Sequence, residues 1–447
     1  MARIRGARGR RDETFTLTFR RSPNGAWLVA TGIRRALEDA LLHRFTHAEI
    51  DFARDFYADQ AAKGGNGLFD EGPWREVVDR HDGRLPLVVR AVADGTVLVP
   101  GEPVLSVEGP GELAAHLEPL LLRTFYDTAV ATDGLALARG IGAERLVEAG
   151  KRAAISEEDH ARALEALALV GVRATSNDTA ALLLPEVRAA GTTAHRFFAS
   201  YDTELEARGA AIAACGRITL LVDLIEPFAG IEKVIALKKK HREGGSAIFM
   251  RLDSGDLAAQ ACRALGRLRE EGMTDPARDR ISIADVSRPE DLERIDAVVR
   301  AIGIDPRAFI DYVTGQLLVM QDKTRGALSA AYKLTESDGR PTGKLAGGSG
   351  KSAIPGRLNV ELRDAERVIV LEEEPVAGQR LLVPAYDHGR VLFPEEGAAA
   401  RAAAARRLEE TFPLRLLTPR RSAAVEGVIR EVEARFLAQL PAAGQDA

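Results

Sequence analysis

Apolar runs recur along the middle of the chain with a steady rhythm: Ile218–Val222, Ala247–Leu252, Ile281–Ala284 and Phe309–Val313 begin about 28 to 34 residues apart. Helical patterns fill the gaps. Parallel strands need a crossover of roughly a dozen residues or more, so this spacing predicts repeated βα units. Gly171–Thr175 and Ala189–Thr193 extend the same sheet. The predicted fold class is α/β, an irregular or incomplete (β/α) barrel, with an open doubly wound sheet as the alternative.

The flanks read differently. Residues Phe15 to Gly32 alternate, and Leu37, Leu41, Leu42 and Phe45 then recur at helical spacing. Short β-branched runs at Leu85–Val92, Thr96–Val99 and Val104–Val107 are separated by Gly and Pro turns, which predicts a small antiparallel unit, and Glu112–Ala138 reads as mostly helix. After Leu328–Leu334 comes a Gly/Ser/Lys-rich stretch, Thr342–Gly356, too long for a simple connector and suited to covering a site. Strand-like runs at Val368–Leu371 and Arg380–Val383 and an Ala/Arg-rich helix at Ala398–Glu410 follow. The predicted division is a basic tail over 1–14, a small α/β domain beginning with 15–115, the barrel over 116–340, and a loop and return to the small domain over 341–447.

Composition narrows the function. With 66 acidic against 61 basic residues in 447, a net charge of −5 leaves no whole-protein field for nucleic acid or an anionic membrane. Neither partner is predicted. The arginines at 3, 5, 8, 10 and 11 lead into no apolar segment, so they read as a basic tail rather than a secretory signal or a nucleic-acid arm. Cys215 and Cys262 stand apart from any zinc-like spacing, which fits a reducing cytoplasm.

Candidate chemistry sits where the strands end. Arg251-Leu252-Asp253-Ser254-Gly255-Asp256 places a cation, two carboxylates and a tight turn at the rim where barrel sites form. Asp253 or Asp256 can hold a divalent ion, although Asp256 reads equally as a helix cap. Ser287-Arg288-Pro289-Glu290 has the pattern of a capping box, and its helix start is suited to an anion. Thr314-Gly315-Gln316 ends the next strand, where glycine allows close approach to a ligand. Thr175-Ser176-Asn177 either binds a ligand or caps a helix; His195, read alone, is a hydrogen-bonded structural residue; and Lys151-Arg152 reads as a solvated pair.

Taken in chain order, these segments resemble the nicotinate phosphoribosyltransferase family from about Phe15 to Arg363. Gly150-Lys151-Arg152-Ala153 is similar to the family's Phe-Gly-x-Arg-Arg-Ala, and Ala174-Thr175-Ser176-Asn177 to its Gly-Thr-Ser-Asn. Gly191-Thr192-Thr193-Ala194-His195 resembles its Gly-Thr-x-Ala-His, and Arg251 to Leu257 match Arg-x-Asp-Ser-Gly-Asp-Leu fully. Ile310–Val319, Tyr332-Lys333-Leu334, Lys351 with Pro355-Gly356, and Glu102-Pro103-Val104-Leu105 with Glu108-Gly109-Pro110 continue the series. The chain departs from the pattern too. No Asp-x-Tyr segment precedes Phe15, Arg196 and Ala174 replace Ser and Gly, Leu224-Ile225-Glu226 stands for Thr-Tyr-Asp, and Val313 and Gln316 replace Gly and Thr.

The resemblance implies a two-domain enzyme, a barrel joined to a smaller α/β domain built from both chain ends, working as a homodimer. It implies transfer of phosphoribose from phosphoribosyl pyrophosphate to a pyridine carboxylate, with Mg²⁺, and ATP as co-substrate acting through a phosphorylated His195. Arg152 and Arg251 then hold the acid or pyrophosphate, Asp253 faces the ribose, and Ser287 and Gly315 line the 5′-phosphate site. Lys151, Thr175, Ser176, Asn177, Thr192, Ser254, Gly255, Gln316, Lys333 and Lys351 complete the substrate-binding set. Neutral Ser176 stands where relatives that use the amide carry Asp, which favours an acid. Quinolinate or another heteroaromatic acid as acceptor, and a homologue that binds without turnover, remain the alternatives.

Overall fold

The computed structural model describes residues 11–23, 25–65, 67–344, 352–363, 366–393, 397–412 and 419–438. The chain forms two compact units: Met1–Thr132 with Asp322–Ala447, and Asp133–Gln321 between them. The unit made from the two outer parts is the larger of the two.

The inner unit is the predicted α/β half-barrel. Seven strands run in the order Arg188–Ala189, Ala174–Thr175, Leu146–Glu148, Ile310–Thr314, Ile281–Ala284, Ala247–Leu252, Arg217–Leu221, and all neighbouring pairs are parallel. Helices Pro227–His241, Leu257–Glu270 and Pro289–Ala301 are the crossovers behind the spacing seen in the sequence. Side chains alternate along each strand, so Met250, Leu252, Ile281, Ile283, Ile310 and Tyr312 go into the core under the helices and are buried. Their neighbours Phe249, Arg251, Ser282, Ala284, Asp311 and Val313 turn to the concave side, where they line a cavity.

The strands Ala174–Thr175 and Arg188–Ala189 are much shorter than the sequence runs that predicted them. The continuation of the edge strand Arg188–Ala189 closes the curl instead. Thr193 donates its backbone N–H (3.0 Å) and hydroxyl (2.8 Å) to the Thr219 carbonyl, and its hydroxyl accepts from Leu221 N–H at 3.3 Å. The segment after one edge strand thus pairs with the other edge.

In the outer unit a seven-stranded sheet runs Arg340–Pro341, Ala331–Ser337, Asp12–Thr18, Pro103–Pro110, Val88–Ala91, Val383–Asp387, Arg390–Val391. Strand Asp12–Thr18 pairs antiparallel with both Ala331–Ser337 and Pro103–Pro110, which ties distant parts of the chain into one sheet. A four-stranded sheet contains Leu358–Arg363 and Glu366–Leu371. A core including Leu17, Leu37, Val89, Leu105, Tyr332, Val360 and Tyr386 unites these elements. No helix among the described residues is long and apolar enough to cross a membrane.

Candidate active site

The concave face of the half-barrel encloses a cavity of about 1120 Å³. Closed barrels fill this space with layers of branched side chains. Here many inner positions are small, among them Thr219, Ala189, Ala190, Ser282, Ala284, Val147 and Val313, and Phe249 is the one aromatic residue among the described lining. Small residues leave the interior open to a ligand.

Around the carboxyl ends of the strands, the lining passes from Ser176 to Arg152, Gly315 and Gln316, Ser287, Asp253 and Arg251, and then Thr192. Residues from widely separated sequence segments therefore meet at one rim. Asp253 receives a hydrogen bond from the Arg251 guanidinium, whose other arm donates to the Thr192 hydroxyl at 2.9 Å. Arg251 is held across the closing seam, with both side chains of the pair about one-sixth exposed. Gly255 supplies the left-handed residue of the turn, φ +81°, and Asp256 caps the next helix by accepting from Ala259 N–H at 3.1 Å. Asp256 is accordingly a cap and stands outside the acidic cluster.

That cluster is formed by Asp253 with His195 and Asp223, whose ligand-type atoms lie within 4.8 Å of one another. His195 Nε2 is 3.3 Å from Asp223, and its Nδ1 is 3.9 Å from Asp253. Asp223 also accepts from the Ser254 hydroxyl at 2.7 Å. His195 is half exposed beside the cavity rather than in its lining.

Ser287 lies in the lining, but the predicted capping box does not form. The helix Pro289–Ala301 is capped at Arg288, with no side-chain cap bond. Proline restricts the preceding residue to extended backbone, and Arg288 at φ −134°, ψ 140° obeys. Ser287 is thereby placed one residue outside the helix end. Gly315 is required by packing: a Cβ there would come within 2.7 Å of the Ala149 carbonyl.

Other expected residues are not in the lining. Lys151 turns to Glu157 at 3.1 Å. Lys333 belongs to the outer unit and faces Glu118 at 3.4 Å. Lys351 and the basic stretch 1–10 lie outside the described residues. Thr175 is buried, and Asn177 caps the short helix Asp178–Leu183 through Thr179 N–H at 3.2 Å.

Thr175 and Asn177 belong to a buried network the sequence reading missed. Glu148 accepts from the Thr175 hydroxyl at 2.6 Å, from Gly150 N–H, and lies 3.1 Å from His160 Nε2. His160 Nδ1 is 3.2 Å from the Asn177 amide nitrogen. Glu148 and His160 are essentially unexposed. The available signal was a carboxylate at the end of the apolar run Leu146-Val147, just before Gly150.

An open half-barrel whose rim gathers arginine, aspartate and histidine beside a ligand-sized cavity suits an α/β enzyme, and its relatives make it one of the phosphoribosyltransferase type. Nicotinate phosphoribosyltransferase pncB2 of Mycobacterium tuberculosis is 30% identical over 390 residues, covering 84% of this chain and 77% of that one. The crystal structure of human nicotinic acid phosphoribosyltransferase superposes with a TM-score of 0.69 at 20% identity, covering 95% of this chain and 96% of the human one. Nicotinate-nucleotide pyrophosphorylase from Pyrococcus furiosus superposes with a TM-score of 0.63 at 16% identity, over 91% of both chains. No family model matches the chain. The chain belongs to the nicotinate phosphoribosyltransferase family.

Proposed function

We propose that this enzyme joins nicotinate to phosphoribosyl pyrophosphate, giving nicotinate mononucleotide and pyrophosphate in NAD salvage. The observation that carries the reading is the Arg251–Asp253 pair at a strand end, inside a cavity that also takes in Arg152 and Ser176 on one side and Ser287 and Gly315 on the other. Departure of pyrophosphate leaves an oxocarbenium-like ribose. Asp253 offsets the positive charge that develops there, Arg251 offsets the negative charge of the leaving group, Arg152 pairs with the acid beside Ser176, and Ser287 with Gly315 seats the 5′-phosphate. The pyridine nitrogen is already a nucleophile, so the protein's task is to hold it in line with the anomeric carbon.

Mg²⁺ fits the rim through Asp223 and Asp253, because carboxylate oxygens combined with substrate phosphates are its usual donors. When bound it neutralises pyrophosphate charge. ATP coupling is assigned to His195: Asp223 can hold Nε2–H, leaving Nδ1 as the nucleophilic nitrogen. A homodimer in the cytoplasm completes the reading, and the free Cys215 and Cys262 are consistent with a reducing compartment.

Pyrophosphate release measured side by side with nicotinate, nicotinamide and quinolinate tests the proposal. Turnover of nicotinate above the other two is expected. The wide cavity with Phe249 as its one described aromatic favours a second reading, a bulkier heteroaromatic acid as acceptor; preference for quinolinate supports it, and no turnover with any acid points to a homologue that only binds.

A further inference from the structure

Three consecutive segments of the chain converge beside the rim: Ala149–Ala153 after strand Leu146–Glu148, the helix Glu157–Leu169 that carries His160, and Ser176–Asn177 after strand Ala174–Thr175. The Glu148 carboxylate is where they meet. Its two oxygens take the Gly150 N–H, His160 and the Thr175 hydroxyl, while its own backbone carbonyl accepts Ser176 N–H at 2.7 Å.

The direction of the bonds in this network is fixed by backbone N–H groups. Thr179 N–H can only donate, so the Asn177 side-chain oxygen is its acceptor at 3.2 Å, and the Asn177 amide NH₂ is turned toward His160 Nδ1. Nδ1 must therefore accept, the ring proton resides on Nε2, and Nε2–H donates to Glu148 at 3.1 Å. Thr175 Oγ1 accepts from Asn177 N–H at 3.1 Å and passes its own proton toward Glu148 at 2.6 Å. Each donor has one acceptor, and no member can rotate without leaving a buried polar group unpaired, which is costly. None of these side chains lines the cavity, yet the residues they anchor, Arg152 and Ser176, do.

We propose that His160 is a positioning residue: through Glu148 and Asn177 it holds the Arg152 and Ser176 segments in register and so sets recognition of the acceptor's carboxylate, leaving the ribose-phosphate side untouched. The assignment of the acid to Arg152 and Ser176 rests on the function proposed above. The anchoring itself does not.

Two variants test it. His160→Leu removes both ring nitrogens, whereas His160→Gln can still donate to Glu148 and accept from Asn177. Steady-state kinetics with nicotinate should show a KM for the acid raised at least tenfold in His160→Leu, a KM for phosphoribosyl pyrophosphate changed less than twofold, and most of the loss recovered in His160→Gln. Hydrogen exchange on the same proteins, without substrate, should show faster exchange of segments 149–153 and 175–177 in His160→Leu and unchanged exchange over 281–287. Unchanged exchange at both anchored segments in folded His160→Leu overturns the anchoring. Faster exchange there, with both KM values rising equally or neither rising, overturns the acceptor-specific role. If the wild-type enzyme turns over none of the acids, the functional reading fails while the exchange result still decides the anchoring.

Discussion

Two arginine–aspartate pairs in the half-barrel use the same chemistry for opposite ends. Arg145 and Asp296 are buried, joined by two hydrogen bonds of 2.7 and 2.8 Å, and each of their side-chain nitrogens and oxygens has a partner: Arg145 also donates to the Ile141 and Ile310 carbonyls, and Tyr312 donates to Asp296 at 2.8 Å. Burial opposes the Arg145 charge, but the hydrogen bonds and charge of Asp296 hold its pKa above the ordinary value. Burial, reinforced by Asp296, also pushes the Tyr312 hydroxyl up, so it stays a donor. Arg251 and Asp253, by contrast, are partly exposed at a cavity, and the buried Arg251 Nε has no hydrogen-bond partner among the described residues. A pair that is completely satisfied stabilises a fold; a pair left with unused capacity beside a cavity is ready for a ligand.

The comparison can be broken most forcefully at the buried pair. Asp296→Ala leaves the Arg145 charge without its partner and should cost about 3–5 kcal/mol of stability, read as a lower denaturant midpoint, with normal turnover per folded molecule. Asp253→Asn should do the reverse: a kcat lower by roughly 30-fold to 1000-fold, about 2–4 kcal/mol of transition-state stabilisation, with a melting temperature close to wild type. Near-normal turnover would make both pairs structural.

His195→Asn sharpens the division on the functional side. It should abolish acid-labile phosphorylation from ATP while slow transfer persists at high substrate, and an undiminished phosphoenzyme signal would remove His195 from that role. The smallest effect concerns affinity for the acceptor. With neutral Ser176 near Arg152 in the lining, nicotinate should bind ahead of nicotinamide by roughly tenfold, about 1.4 kcal/mol. Competitive titration of the two ligands measures the difference.

Much of the half-barrel was legible because strand spacing is imposed by crossover length. Ile281–Ala284 appears in the structure as the sequence pattern drew it. The strands Ala174–Thr175 and Arg188–Ala189 were less so, because the segment after the second continues as a loop whose bonds to Thr219 and Leu221 leave no periodicity. Arg251 and Asp253 stood out because two charges and a glycine turn directly end an apolar run, at the rim where barrel sites form. Asp223 follows the apolar run Ile218–Val222 with no motif around it, and its contact with His195 bridges 28 positions. Glu148 and His160 are separated by only 12 positions, yet they face each other because a helix folds back over its strand, which no local pattern encodes. Ser287 misled because a capping pattern was read without the restriction that Pro289 places on Arg288.

The contact between Gly315 and Ala149 has a mechanical consequence. Where a Cβ would sit only 2.7 Å from a carbonyl oxygen, two main chains touch with no side chain between them. Side chains absorb small displacements by changing rotamer; a peptide plane has no such slack. A side chain at position 315 would therefore have to push aside the backbone that leads to Arg152, because no rotamer change could take up the overlap.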